Sequence, residues 1–250
     1  MGKEDAGANS EREYLRKQLQ YPDWYIKLED YLKTQIYPVV HDNPEFMRQR
    51  NRFYSLVEEM LDKGGVPLAR EGLNLDAERK PIDTVVIHHT EEDPDITLER
   101  LNAIGFVRQY AQNYLHGDVW GKKGLRGQPI WSGHFRDFGN GQQMTFFAYH
   151  WLIRPDGRAE RLLEDGEIGH HAGNLNLESI GLSFSGNYEH STPPVEQIEE
   201  AAKIIKENYS FVDNARILGH REVMEARTCP GDMFLGQQGW KNILIAEIEK

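Results

Sequence analysis

The chain has 250 residues, with 29 Lys and Arg against 40 Asp and Glu, giving a formal net charge of −11. A long-range field of that sign repels nucleic acid and anionic membrane surfaces, so neither is an expected partner. Hydrophobic residues make up 39% of the chain, enough to build a core, and no run approaches the roughly 20 apolar residues of a membrane-spanning helix. The polar N-terminus offers no apolar stretch for a signal peptide, so the expected location is cytoplasmic. The single cysteine, Cys229, excludes an internal disulfide framework.

Residues 1–10 are small and polar and are expected to be a disordered tail. Over 11–65 apolar residues fall at helical spacing, as in Tyr14, Leu15 and Leu19 or Phe53, Leu56, Val57 and Met60. Pro22, Pro38 and Pro44 divide this stretch and Gly64-Gly65 closes it, which predicts an extension of two or three helices. A connector spans 66–80, and the domain proper is expected over 81–250. Its first element is a buried strand at 84–87, a β-branched run ending in His88-His89-Thr90. Residues 97–115 have a helical period. From 116 to 145 the chain is rich in Gly and aromatics without a period, which predicts a long irregular insertion at about 103–145.

Beyond the insertion, 146–153 alternates as a strand, and Pro155-Asp156-Gly157 turns into a hairpin partner at 159–163. A second alternating strand is expected at 179–185. A helix over 195–209 carries Glu196 in its first turn, where the helix dipole favours an acid. A short strand at 216–218 ends at Gly219-His220, and 240–248 closes the chain as a helix. Strands and helices in this non-repeating order predict an α/β fold, a central mixed sheet flanked by helices, with the N-terminal helical extension added.

His88 and His220 stand at two strand ends, and Cys229 follows nine residues after His220. Imidazole nitrogen and thiolate sulfur are zinc donors, and three protein ligands with one open corner describe a catalytic site. On pattern alone a buried cysteine with two surface histidines explains the same residues equally well. Cys229 as a nucleophile with a histidine base is a further chemistry, against which Pro230 counts because it lacks the backbone N–H an oxyanion hole would use.

Four segments in order resemble the zinc-dependent N-acetylmuramoyl-L-alanine amidases, the family that includes the peptidoglycan recognition proteins and phage amidase-type lysozymes. They are VVIHHT (85–90), AYHWLIRPDG (148–157), HAGNLNLESIGLSFSGNY (171–188) and GHREVMEARTCPGD (219–232). The resemblance covers about residues 80–245. It implies the recognition-protein fold and a zinc ion held by His88, His220 and Cys229. His88 takes the place of the first ligand, although the adjacent His89 is exchangeable with it. Tyr149 matches the catalytic tyrosine, and Arg227 falls where family members carry a lysine facing the substrate carbonyl or a threonine. Thr228 is the neighbouring alternative for that role.

The resemblance further implies hydrolysis of the amide bond between N-acetylmuramic acid and L-alanine, with peptidoglycan or muropeptides as substrate. A donor from Tyr149 or Arg227 would stabilise the developing oxyanion. The branch with an aspartate ligand carries a glutamate on the strand where this chain has Ser183, so the chain groups with the tyrosine-type, cysteine-ligated branch. His171, Asn187 and Tyr188 are candidates for contacting substrate. His171 could instead cap its loop, and Gly186-Asn187 reads equally as a plain turn. Trp120, Trp131 and His134 could wall a sugar site or simply pack within their own loop. Two other functions compete: a peptidoglycan-binding module without turnover, and an interaction protein whose helical extension meets an unidentified protein partner. Under the enzyme reading, release of a phage-type lysin and trimming of a secreted precursor stand beside the cytoplasmic expectation.

Overall fold

In the computed structural model the residues described are 13, 16, 17, 75–90, 118, 119, 122, 123, 134–137, 142–145, 148–225 and 227–250. The helices expected within 11–65 and 97–115 therefore lie outside the described residues, apart from residues 13, 16 and 17, which are helical. The chain divides into two compact units, one formed by Met1–Leu75 with Asn102–Phe146, the other by Asp76–Leu101 with Phe147–Lys250.

The first unit contains two short antiparallel pairs. Strand β2 (Asp118–Val119) pairs with β3 (Lys122–Lys123), and β4 (His134–Asp137) pairs with β5 (Gln142–Thr145). These strands lie within the stretch expected to be an irregular insertion, whose other residues lie outside the described residues. Runs of two to four residues are too short to display the period of two by which a strand is read from sequence.

The second unit is built on a five-stranded mixed sheet in the order β7-β6-β8-β1-β9. Its strands are β1 (Thr84–His89), β6 (Trp151–Ile153), β7 (Ala159–Arg161), β8 (Ser179–Phe184) and β9 (Ile217–Gly219). β1 runs parallel to both β8 and β9, β6 runs parallel to β8, and only the edge strand β7 is antiparallel to its neighbour. Every residue of β1 and β8 is buried, as expected of central parallel strands covered on both faces.

Side-chain alternation separates the two faces of this sheet. Val85, Ile87, Ile180, Leu182, Phe184 and Ile217 enter the hydrophobic core with helix α1 (Val195–Asn208) and the C-terminal helix α3 (Trp240–Glu249). α1 presents Ile198, Ala201, Ala202 and Ile205 to that core at the spacing of one helical face. The same alternation sends Val86, His88, Gly181 and Ser183 to the opposite face, with His88 and Ser183 in register. The core face is therefore apolar, and the opposite face carries the imidazole.

Two elements differ from the sequence reading in ways that bear on chemistry. β6 begins only at Trp151 because the His150 side chain takes a ladder donor: Gly181 N–H donates to His150 Nδ1 at 3.1 Å. His220 does not end a strand but opens the one-turn helix α2 (His220–Val223), where the Glu222 carboxylate accepts the Gly219 N–H at 2.7 Å.

Phe234 and Trp240 stack edge to face with centroids 4.6 Å apart, and both are fully buried. Phe234 lies directly on Gly219: a Cβ there would come within 2.5 Å of the Phe234 ring. That packing sets the position of the backbone from which His220 departs. Phe234→Ala is expected to cost about 3 to 5 kcal/mol of unfolding free energy. Urea denaturation would measure it, and an unchanged midpoint would show that this contact does not support β9.

Candidate metal centre

His88, His220 and Cys229 come together although they leave three separate elements. Their ligand atoms all lie within 4.8 Å of one another. His88 Nδ1 is 3.8 Å from Cys229 Sγ, and the rings of His88 and His220 have centroids 4.6 Å apart. Two nitrogens at about 2.0 Å and a sulfur at about 2.3 Å from a tetrahedral zinc are separated by about 3.3 Å (N to N) and about 3.5 Å (N to S). The donor set therefore fits zinc in chemistry, and the His88–Cys229 separation of 3.8 Å lies close to the tetrahedral N-to-S value. His220 is a third donor that a cysteine–histidine nucleophile pair does not require.

Local structure explains why the donors meet. His88 and His89 are consecutive in β1 and so point to opposite faces. His89 turns away from the donor set, its Nδ1 accepting the Tyr188 N–H at 3.0 Å and its Nε2 lying 3.9 Å from a Glu189 carboxylate oxygen. Of the two exchangeable histidines, the structure brings His88 to the cluster. Cys229 is held against α2 by the Arg221 N–H, which donates to the Cys229 carbonyl at 2.7 Å, and by the Arg221 guanidinium, which donates to the Gly231 carbonyl at 2.8 Å. The following Gly231 has φ 113°, and a Cβ there would lie 1.9 Å from the Tyr188 carbonyl oxygen, so only glycine fits.

The electrostatics favour ligand forms of the buried donors. Burial, followed by the neighbouring imidazoles of His171, His220 and His89, holds the His88 pKa well below its ordinary value of 6.5. A neutral imidazole keeps a lone pair for a metal. The Cys229 sulfur accepts the backbone N–H of His89 at 3.4 Å, a contact that favours thiolate.

The remaining candidates are dispersed. Tyr149 is half-buried, its ring centroid 4.8 Å from that of His88. Thr228 is exposed on the segment leading into Cys229, and the neighbouring Arg227 is exposed as well. Asn187 is exposed in a turn where its side-chain oxygen accepts the Glu189 N–H at 3.1 Å. Tyr188 corrects the expectation of a substrate contact. The residue is 6% exposed, and its hydroxyl donates to Gln197 Oε1 at 2.6 Å, with the Ser185 carbonyl at 3.0 Å. Burial, the dominant cause, pushes its pKa up to about 12. It is a core residue because α1 carries Gln197 into the core to meet it.

His171 also departs from the expected substrate contact. It is buried, with Nδ1 3.0 Å from His88 Nε2 and Nε2 3.4 Å from Ser179 Oγ, so both ring nitrogens are engaged inside the protein. Burial, then His150, His220 and Arg79, lowers its pKa well below 6.5. His150 behind it has one hydrogen-bonding pattern available: Nδ1 accepts from Gly181 N–H, so Nε2 donates to the Glu167 carbonyl at 3.0 Å. Trp120 and Trp131 lie outside the described residues, and His134 is described only as a backbone position of β4. Sequence reasoning missed Ser179 and Gly181. The signal was present in Ser179, Gly181 and Ser183, which place only small residues on one face of β8 and leave room there for a ring.

The depressed pKa values of His88 and His171 carry a stability consequence. The folded protein keeps both rings neutral, whereas the unfolded chain takes up protons near 6.5. Stability present above that pH is therefore lost as the pH falls below it. Each ring thus lowers the stability of metal-free protein as the pH falls from roughly 7.5 to roughly 5.5. Urea titrations at the two pH values test this, and a midpoint that holds or rises on acidification contradicts it.

The N-acetylmuramoyl-L-alanine amidase family model matches residues 78–232. One peptidoglycan-recognition protein of Drosophila melanogaster is 26% identical over 166 residues, covering 65% of this chain and 76% of the relative. Another from the same organism, peptidoglycan-recognition protein SC1a, is 32% identical over 161 residues, covering 63% of this chain and 72% of the relative. Among solved structures, the N-acetylmuramoyl-L-alanine amidase LysC from Clostridium intestinale URNW is 17% identical with a TM-score of 0.42, covering 74% of this chain and 91% of that one. The family match spans both ends of the candidate donor cluster, from the strand bearing His88 to the loop bearing Cys229, and the chain belongs to the N-acetylmuramoyl-L-alanine amidase family.

Proposed function

We propose that this chain is a zinc-dependent amidase that cleaves the bond between N-acetylmuramic acid and L-alanine in peptidoglycan or muropeptides. The observation that carries the reading is the convergence of two imidazoles and one thiol, all ligand atoms within 4.8 Å of one another, in a chain of this family. The relatives named as peptidoglycan-recognition proteins point to the same polymer.

His88, His220 and Cys229 would hold the metal. When bound, zinc supplies Lewis-acid polarisation of the scissile carbonyl and acidification of water. The protein contributes the rest. Burial keeps His88 neutral, so its imidazole needs to lose no proton to bind a metal, and the His89 N–H donates to the Cys229 sulfur, which would give up its thiol proton on binding. Tyr149, beside the His88 ring, is the residue placed to donate a hydrogen bond to oxygen where negative charge develops. Arg227, or Thr228 in its place, on the exposed segment before Cys229, would meet the substrate carbonyl. The register neighbour of His88 is Ser183, which has no acidic proton, so delivery of a proton to the leaving amine would fall to Tyr149 or to water at the site.

Recognition without turnover is the competing reading, favoured by the names of the relatives. Measurement of zinc content and of muramyl-peptide hydrolysis separates the two. Cys229→Ala is expected to lose both zinc and hydrolysis. Tyr149→Phe is expected to retain zinc while kcat falls by about 10² to 10³. Full hydrolysis by zinc-free Cys229→Ala would overturn the metal mechanism, and zinc-loaded wild type that binds but never cleaves would establish recognition.

A further inference from the structure

We propose that His171 and Ser179 are positioning residues that fix the tautomer of His88, so that His88 presents a bare Nδ1 to the metal and keeps its proton on Nε2. The proposal rests on the reading of His88, His220 and Cys229 as a zinc site.

The argument is a count of protons along a buried chain of contacts. Ser179 has one hydroxyl proton. Its oxygen is 2.7 Å from the Leu175 carbonyl and 3.4 Å from His171 Nε2. The shorter contact is the usual length of an O–H···O bond, so the proton goes to Leu175. Ser179 Oγ can then only accept from His171, which places the His171 proton on Nε2. His171 Nδ1 is left as an acceptor 3.0 Å from His88 Nε2, so His88 must donate from Nε2. The nitrogen left with a lone pair is Nδ1, the one 3.8 Å from Cys229 Sγ. With the serine proton turned toward His171, every donor and acceptor would reverse, and His88 would carry its proton on the nitrogen that faces the sulfur.

The surroundings leave His171 little freedom to break this order. Its backbone N–H donates to Asn176 Oδ1 at 3.0 Å, as does that of Ala172 at 2.6 Å. The ring lies across Gly181, where a Cβ would come within 2.8 Å of it. Both its backbone and its ring are thereby held by β8 and the loop before it. A ligand imidazole held from behind by a hydrogen-bond acceptor is oriented and made more basic, and loss of such a partner typically weakens metal binding about tenfold to a hundredfold.

The test combines a spectroscopic reading of the wild type with two substitutions. Nitrogen–proton correlation spectra of the histidine rings in metal-free wild type are expected to show both His88 and His171 protonated on Nε2. A proton on His88 Nδ1 would overturn the proposal. His171→Leu removes the acceptor, and zinc affinity measured against a competing chelator is expected to fall about tenfold to a hundredfold. His171→Asn carries an oxygen near the position of Nδ1, and its affinity is expected to return to within about threefold of wild type. Equal affinity in His171→Leu and wild type, or equal loss in both variants, would overturn the proposal, the latter because it would mean that ring volume alone matters. Wild type that binds no zinc would instead remove the zinc reading, and the tautomer spectra would still decide the order of protons.

Discussion

Imidazoles buried side by side, with candidate ligand atoms within 4.8 Å of one another, can be accommodated only while they stay uncharged. This requirement organises the second compact unit. Burial keeps His88 and His171 neutral, which removes the mutual repulsion of imidazolium ions. The cost of burying polar rings is met by pairing them: His88 with His171, His171 with Ser179, and His150 with Gly181 N–H and the Glu167 carbonyl. The polar face of the sheet is thus a hydrogen-bonded layer of rings.

The opposite face works in a different way. There α1, α3, Phe234 and Trp240 form an apolar layer with no role in ligation. That layer fixes the backbone from which the ligands depart, since Phe234 presses on Gly219 beside His220, and Tyr188 reaches into the core to bond Gln197. Arg221 then straps the Cys229 loop back onto the helix that bears His220. Two candidate ligands close in sequence are held by contacts within their own segment, while the third arrives from the neighbouring strand β1. Donors that are to share one metal ion need this kind of support from rigid elements, because small errors in donor position lose metal affinity.

Much of this was legible in the sequence, but not evenly. The β-branched run ahead of His88 and the amphipathic period of α1 marked their elements directly, since burial on two faces or on one leaves different patterns. The resemblance over four segments brought His88, His220, Cys229 and Tyr149 forward as a group, and the structure places the three ligand candidates in one cluster with Tyr149 beside His88. The roles of His171 and Tyr188 were not legible. Their partners are set by folding: His88 lies 83 residues from His171, and Gln197 is brought to Tyr188 by the packing of α1. Short strands such as β2 and β3 escaped because two residues show no period.

The central claim concerns which atoms surround the metal, and zinc-edge X-ray absorption on protein loaded with one equivalent of zinc tests it most directly. The account predicts a shell with one sulfur at about 2.3 Å and two imidazole nitrogens at about 2.0 Å, completed by a light atom. A shell of nitrogen and oxygen without sulfur would contradict it.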